Sequence, residues 1–132
     1  MANLSNYLEE RVLNHIFRGV ASAPPQNFYV ALFLNNPTDA GTGNEVSGVN
    51  YARKPITFTA PSQVDGGASI SNEAEITFDQ AGSNWGTVTH AAIFDSLTGG
   101  NMYYYGPLDT PKAIETNDIL KVLENELVLT LA

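Results

Sequence analysis

His15 and His90 are the only imidazoles in the 132 residues, and no cysteine accompanies them. A thiol nucleophile and zinc sites built on thiolates are therefore excluded. His15 sits beside Ile16 and Phe17 in a helical pattern, and His90 sits mid-strand among Val88, Ala92 and Phe94. Neither has a second histidine or a carboxylate at the spacing that would hold a metal on one helix face. Both read as hydrogen-bonded structural residues. The G-x-S-x-G, H-E-x-x-H, P-loop and dinucleotide glycine patterns are absent. No catalytic residue, cofactor or metal is expected, and the chain reads as no enzyme.

Two weaker constellations remain. The stretch from Asp39 to Glu45, DAGTGNE, gathers acids and glycines in one loop. It suits either calcium or a plain succession of turns, and EF-hand spacing is missing. Trp85, Tyr103, Tyr104 and Tyr105 supply rings that stack on the apolar faces of sugars or pack into a core. In a strictly alternating strand Tyr104 opposes Tyr103 and Tyr105, so at most two of the three share a face. Surface recognition then falls to Trp85 with the loop residues Asn36 and Asp39.

The elements that must position these residues are led by Trp85–Leu108. Thr87–Phe94 and Met102–Leu108 alternate with period two around a turn containing Gly99 and Gly100, which predicts a β-hairpin. Asp109 to Lys112 is expected to turn, and Ala113–Glu115 to form a short strand. Residues 3–18 form the one convincing helix: Leu4, Leu8, Val12 and Ile16 recur every four residues, with Leu13, Phe17 and Val20 widening the stripe. Asn3, Ser5 and Asn6 suit an N-cap, Asn6 with Glu9 has capping-box spacing, and Gly19 suits the C-cap. The helix either covers a sheet or docks on a partner through Leu8, Arg11, Val12 and Arg18.

Pro24 and Pro25 stop the helix from continuing. Residues 27–34 are apolar on both faces, as in a strand covered on both sides. Residues 35–48 form a long polar loop, and Pro55 makes the strand within 51–59 an edge. Residues 61–69 read as a loop and 70–78 as a strand. Two further strands are expected over 119–123 and 126–132. The sum is mainly β: an antiparallel, jelly-roll-like β-sandwich of about eight strands with one N-terminal amphipathic α-helix. Residues 1–20 carry the helix and 27–132 a single sandwich domain.

The formal net charge is −8. Residues 1–60 balance four acids with four bases, whereas residues 61–132 hold ten acids and two bases. Such acidity suits solubility, or a neutral docking half and an acidic outer half, and it argues against nucleic acid as a partner. No apolar run of about 18 residues exists to insert in a membrane. Glu9 and Glu10 stand where an export signal would be cationic.

Three stretches taken together are LSNYLEERVLNHIFRG, YVALFLNNPTDAGTGNEVSG followed by YARKPITF, and NWGTVTHAAIFDSLTGGNMYYYGPL. They resemble a family of small tailed-bacteriophage structural proteins, usually labelled phage tail fibre proteins. The likeness spans nearly the whole chain and departs mostly in the C-terminal third, where Glu124, Asn125 and Glu126 are more acidic. The resemblance implies a virion structural protein with no enzyme role, assembled in the host cytoplasm. It leaves two placements. A short, shaftless, acidic body suits a capsid decoration (cement) protein, a homotrimer bound to the major capsid protein. The alternative is a tail-fibre or baseplate-associated knob, bound to a tail protein and touching host-surface glycans.

Overall fold

The computed structural model describes residues 3–64 and 66–131. Met1, Ala2, Asp65 and Ala132 lie outside them, and with them the outer ends of the 1–20 and 126–132 segments and one residue of the 61–69 loop. The chain is mainly β, with antiparallel sheets and one short N-terminal helix, as its sequence predicts. Ten strands are present among the described residues. They are β1 (Asn3–Leu4), β2 (Phe28–Phe33), β3 (Lys54–Ile56), β4 (Ser62–Val64), β5 (Gly67–Ser71), β6 (Ile76–Thr77), β7 (Gly86–Phe94), β8 (Met102–Ile114), β9 (Lys121–Val122) and β10 (Val128–Leu131). One sheet runs β1-β8-β7-β2-β3; facing it are the smaller sheets β10-β5-β4 and β6-β9.

β7 and β8 are the predicted hairpin, and β7 is the middle strand of the large sheet. Gly99 and Gly100 have φ of 60° and 74°, the left-handed region that lets the chain reverse. A Cβ on Gly100 would come within 2.5 Å of Asp95 Oδ1, the oxygen that accepts the Asn101 amide. The expected turn over 109–112 does not occur. β8 runs on to Ile114, pairing Lys112 with Val88 and Ile114 with Gly86, but the register shifts between Val88 and His90, so the ladder passes from Pro107 to Lys112 and residues 108–111 bulge from it. Beyond Tyr105 no described strand pairs with its outer edge, and an outer edge tolerates Pro107 and Pro111.

The large sheet is buried on both faces. Val30, Leu32, Val88, Ile93 and Tyr104 share one core cluster with Leu129 of β10 and with Phe78, Leu120 and Leu127, which flank β6, β9 and β10. On the other face, Ala31, Phe33, Ala92, Phe94, Met102 and Tyr105 form a second cluster. β2 is thus covered on both sides, as its double apolar pattern predicts, and β3 with Pro55 is an edge.

Three further expectations fail, each because tertiary hydrogen bonds override a local pattern. Residues 61–69 are not a loop: β4 pairs with β5. The strand expected over 70–78 breaks into β5 and β6 around Asn72, which is fully buried. Its Nδ2 donates to Ala74 O at 2.8 Å and Leu123 O at 2.9 Å, and its Oδ1 accepts the Leu127 amide at 2.9 Å. That side chain pins three backbone segments at the junction of the small sheets, and it confines the strand expected over 119–123 to Lys121–Val122.

The third failure concerns the helix over 3–18. Asn3 and Leu4 instead pair with Tyr105 and Tyr104. Ser5 is the N-cap and accepts the Leu8 amide at 3.1 Å, so α1 spans only Asn6–Val12. Leu13–Phe17 is a π-helical turn, and Gly19 lies just past it with φ of 69°.

Candidate functional site

The residues able to do chemistry are spread apart and engaged. His15 Nδ1 lies 2.9 Å from Val20 O, and His90 Nδ1 lies 2.8 Å from Thr89 Oγ1. Burial lowers the His90 pKa. Among the described residues, no three carboxylates or histidines converge as a metal site would require. The acids of the 39–45 loop go to separate partners. Glu45 grips Arg53 at 2.8 and 2.9 Å and accepts the Tyr51 hydroxyl at 2.6 Å, while Asp39 accepts the Tyr105 hydroxyl. Arg53 also donates to Ser96 O and Gly99 O at 2.8 Å each and lies 3.9 Å from the Phe94 ring centre. This buried guanidinium clasps the long loop to the hairpin turn, where the bidentate pairing compensates its lost hydration.

Open surface lies around the N-terminal segment. Ser5, itself buried, caps α1 and donates to Met102 O, which fixes the helix start against β8. Leu4 and Leu8 pack on the core. The π turn adds a residue to the helical period and so rotates the side chains beyond it off the inward stripe. Leu13, Ile16, Phe17 and Val20 are 58%, 64%, 77% and 45% exposed, an apolar row at the tip of the segment. Beside it runs an apolar groove of about 480 Å³, lined by Val12, Ile16, Phe28, Phe58, Tyr103 and Leu129 among others.

Tyr103 also borders a second cleft of about 600 Å³ with Arg11, Gln26, Asn27, Tyr29 and Asp95. A slip in register between Ile93 and Phe94 leaves Tyr103 without a cross-strand partner. This bulge undoes the strict alternation expected of the tyrosines. Tyr103 and Tyr104 both line the groove, while Tyr105 lies in the cluster on the opposite face. The Tyr103 ring meets Tyr7 and Phe28 edge-on, and its hydroxyl is buried beside Tyr7. Burial pushes the Tyr103 phenol up to about 12.

Of the four helix residues expected to dock, Leu8, Arg11 and Val12 line the apolar groove and Arg18 does not. Leu8 and Val12 are half-buried on the inner side. Arg11 is fastened within the chain, donating to Tyr7 Oη, Ser22 Oγ and Ala23 O. Arg18 is exposed and donates to Asn14 Oδ1 at 2.7 Å. Trp85, expected at the surface, is only 4% exposed; its Nε1 donates to Val49 O at 3.0 Å and its ring meets Tyr51 edge-on. A Cβ on Gly48 would lie 2.3 Å from the indole, so the long loop closes over it. Asn36 and Asp39 are exposed, with Asn36 Oδ1 capping the Thr38 amide at 2.8 Å. Sequence reasoning overlooks Tyr29, Gln26 and Asn27 as site residues. Their only signal is their place directly after the Pro24-Pro25 connector.

The family model described as Podophage GP4 fiber I protein gp80 matches residues 3–130. The chain therefore belongs to this phage fibre family, and the family implies a component of the virion. No curated protein matches it.

Proposed function

We propose, from membership of this fibre family, that the chain is a non-enzymatic structural piece of the phage fibre apparatus. It joins a neighbouring tail protein through the tip of its N-terminal segment. The observation that carries the reading is the exposed row Leu13, Ile16, Phe17 and Val20, four large apolar side chains within eight residues of the N-terminal segment. Apolar surface of that kind, rimmed by polar Asn14 and Arg18, is what a protein–protein contact uses. The family description supports the fibre over the head; the capsid-decoration reading rests on the shaftless, acidic character of the chain.

The test is localisation and counting on intact particles. Labelled chain at the tail, with few copies per particle by quantitative mass spectrometry, is the expected result. Hundreds of copies on the shell would return the capsid-decoration reading. Assembly as a homotrimer belongs to the same proposal and is checked by native mass spectrometry, where a monomer alone would remove it.

A further inference from the structure

We propose that the tip of the N-terminal segment docks head to tail on a second copy of this chain, against an acidic apolar patch around Ile119 and Leu123. The proposal rests on the docking reading of the tip and names what the tip docks on.

The patch follows from strand geometry. Residues 120–122 run along β6: the Phe78 amide donates to Leu120 O, and Ile76 and Thr77 pair with Val122 and Lys121. Side chains on such a segment alternate in direction. Leu120 is buried in the core and Val122 packs on it, which leaves Ile119, Lys121 and Leu123 outside. Ile119 and Leu123 are 51% and 52% exposed. The chain around them carries the exposed acids Glu115, Asp118, Glu124 and Glu126. Its one base, Lys121, lies 3.8 Å from Glu75 and so adds little free positive charge.

The tip has the opposite sign. Residues 11–26 hold Arg11, His15 and Arg18 and no acid, on a chain whose net charge is −8. Arg11 and Arg18 donate only to neutral groups, and among the described residues neither forms an ion pair. The groove beside the exposed row is likewise lined by no carboxylate, and Ile119 and Leu123 are not among its walls. One chain thus carries two exposed apolar surfaces of opposite charge that do not cover each other. Burying apolar side chains supplies affinity, and charge selects which surfaces meet. Tip on tip brings arginines together and patch on patch brings carboxylates together, whereas tip on patch joins opposite signs. Such a contact is heterologous, each copy offering its tip to one neighbour and its patch to another, so it closes into a ring or runs on as a filament. Closure at three copies is the homotrimer proposed above.

The experiment is native mass spectrometry with analytical ultracentrifugation of the full purified chain, at concentrations up to millimolar. The chain alone is expected to self-associate. Phe17→Asp and Leu123→Asp change side chains that are already exposed, so both should keep the parent melting temperature and stay monomeric. Mixed together, they should form a dimer of one chain of each kind and nothing larger, because the first retains its patch and the second its tip. Arg18→Glu should weaken association about tenfold, since it sets a carboxylate against the acidic patch. A parent chain that is monomeric throughout would overturn the proposal. So would association that survives Leu123→Asp, a mixture of the two variants that stays monomeric, or an Arg18→Glu chain that associates as well as the parent. A chain that is monomeric alone, yet is lost from particles on Phe17→Asp, would have its tip on a different tail protein. That outcome removes this proposal and leaves the docking reading standing.

Discussion

In the β7–β8 hairpin, Val88, Ala92, Ile93, Met102 and Tyr104 are all buried, whereas α1 and the π turn after it bury no residue fully. Both regions are amphipathic in sequence. The hairpin strands lie in the interior of a five-stranded sheet packed on both faces, so every one of these apolar side chains finds cover. The helical segment packs on the body along one side, through Tyr7, Leu8 and Val12, and leaves its tip exposed. Apolar patterning therefore marks a surface that wants cover and leaves open whether the same chain supplies it. In the hairpin the chain does; at the helix tip another molecule is proposed to.

This contrast is open to direct measurement, and the largest effect is expected at its centre. Ile93→Ala should cost about 3 kcal/mol in urea unfolding, the usual loss for a truncated core side chain. A loss no larger than that of an exposed residue would mean the hairpin is not the core. Leu8→Asp is expected next, at about 2 kcal/mol, because a carboxylate would be pressed against apolar neighbours. Full stability of that variant would move Leu8 to the docking surface. Ser5→Ala should cost about 1 kcal/mol by removing the cap, and fraying of the helix by circular dichroism checks it.

Phe17→Asp should change unfolding by less than about 0.5 kcal/mol, since the residue is already in solvent, while removing the chain from particles. Incorporation at the normal level would break the assignment of that tip to docking. The smallest effect is electrostatic. His90 has its pKa lowered from 6.5 by burial, so the unfolded chain takes up a proton that the folded one resists. Stability from this residue is present above about pH 6.5 and declines as pH falls through that value toward the folded pKa. The decline should vanish in His90→Gln, by thermal melts across pH.

The legible part of the fold is the part whose pattern coincides with its tertiary surroundings. Residues 28–33, apolar on both faces, suit only a covered strand, and Gly99 with Gly100 suit a chain reversal. Alternation misreads the tyrosine run because one extra residue in a strand changes which way its neighbours point, and a bulge leaves no mark in a two-residue period. Trp85 is misplaced for a related reason. Its burial depends on Gly48 and Val49, more than thirty residues earlier, closing over the indole. Asn72 reads as ordinary strand although it is the polar pin that divides one strand into two.

By itself the sequence determined the class of the molecule. Period-two alternation, turn residues at short intervals and one amphipathic helix suffice for an antiparallel β protein, because those signals act within a few residues of each other. Only the tertiary structure decided which apolar residues remain outside and which distant segments line one cleft. Exposure and convergence are sums over segments distant in the chain, as where Tyr103, Tyr29 and Asn27 meet at one cleft. Local pattern holds no information on that sum.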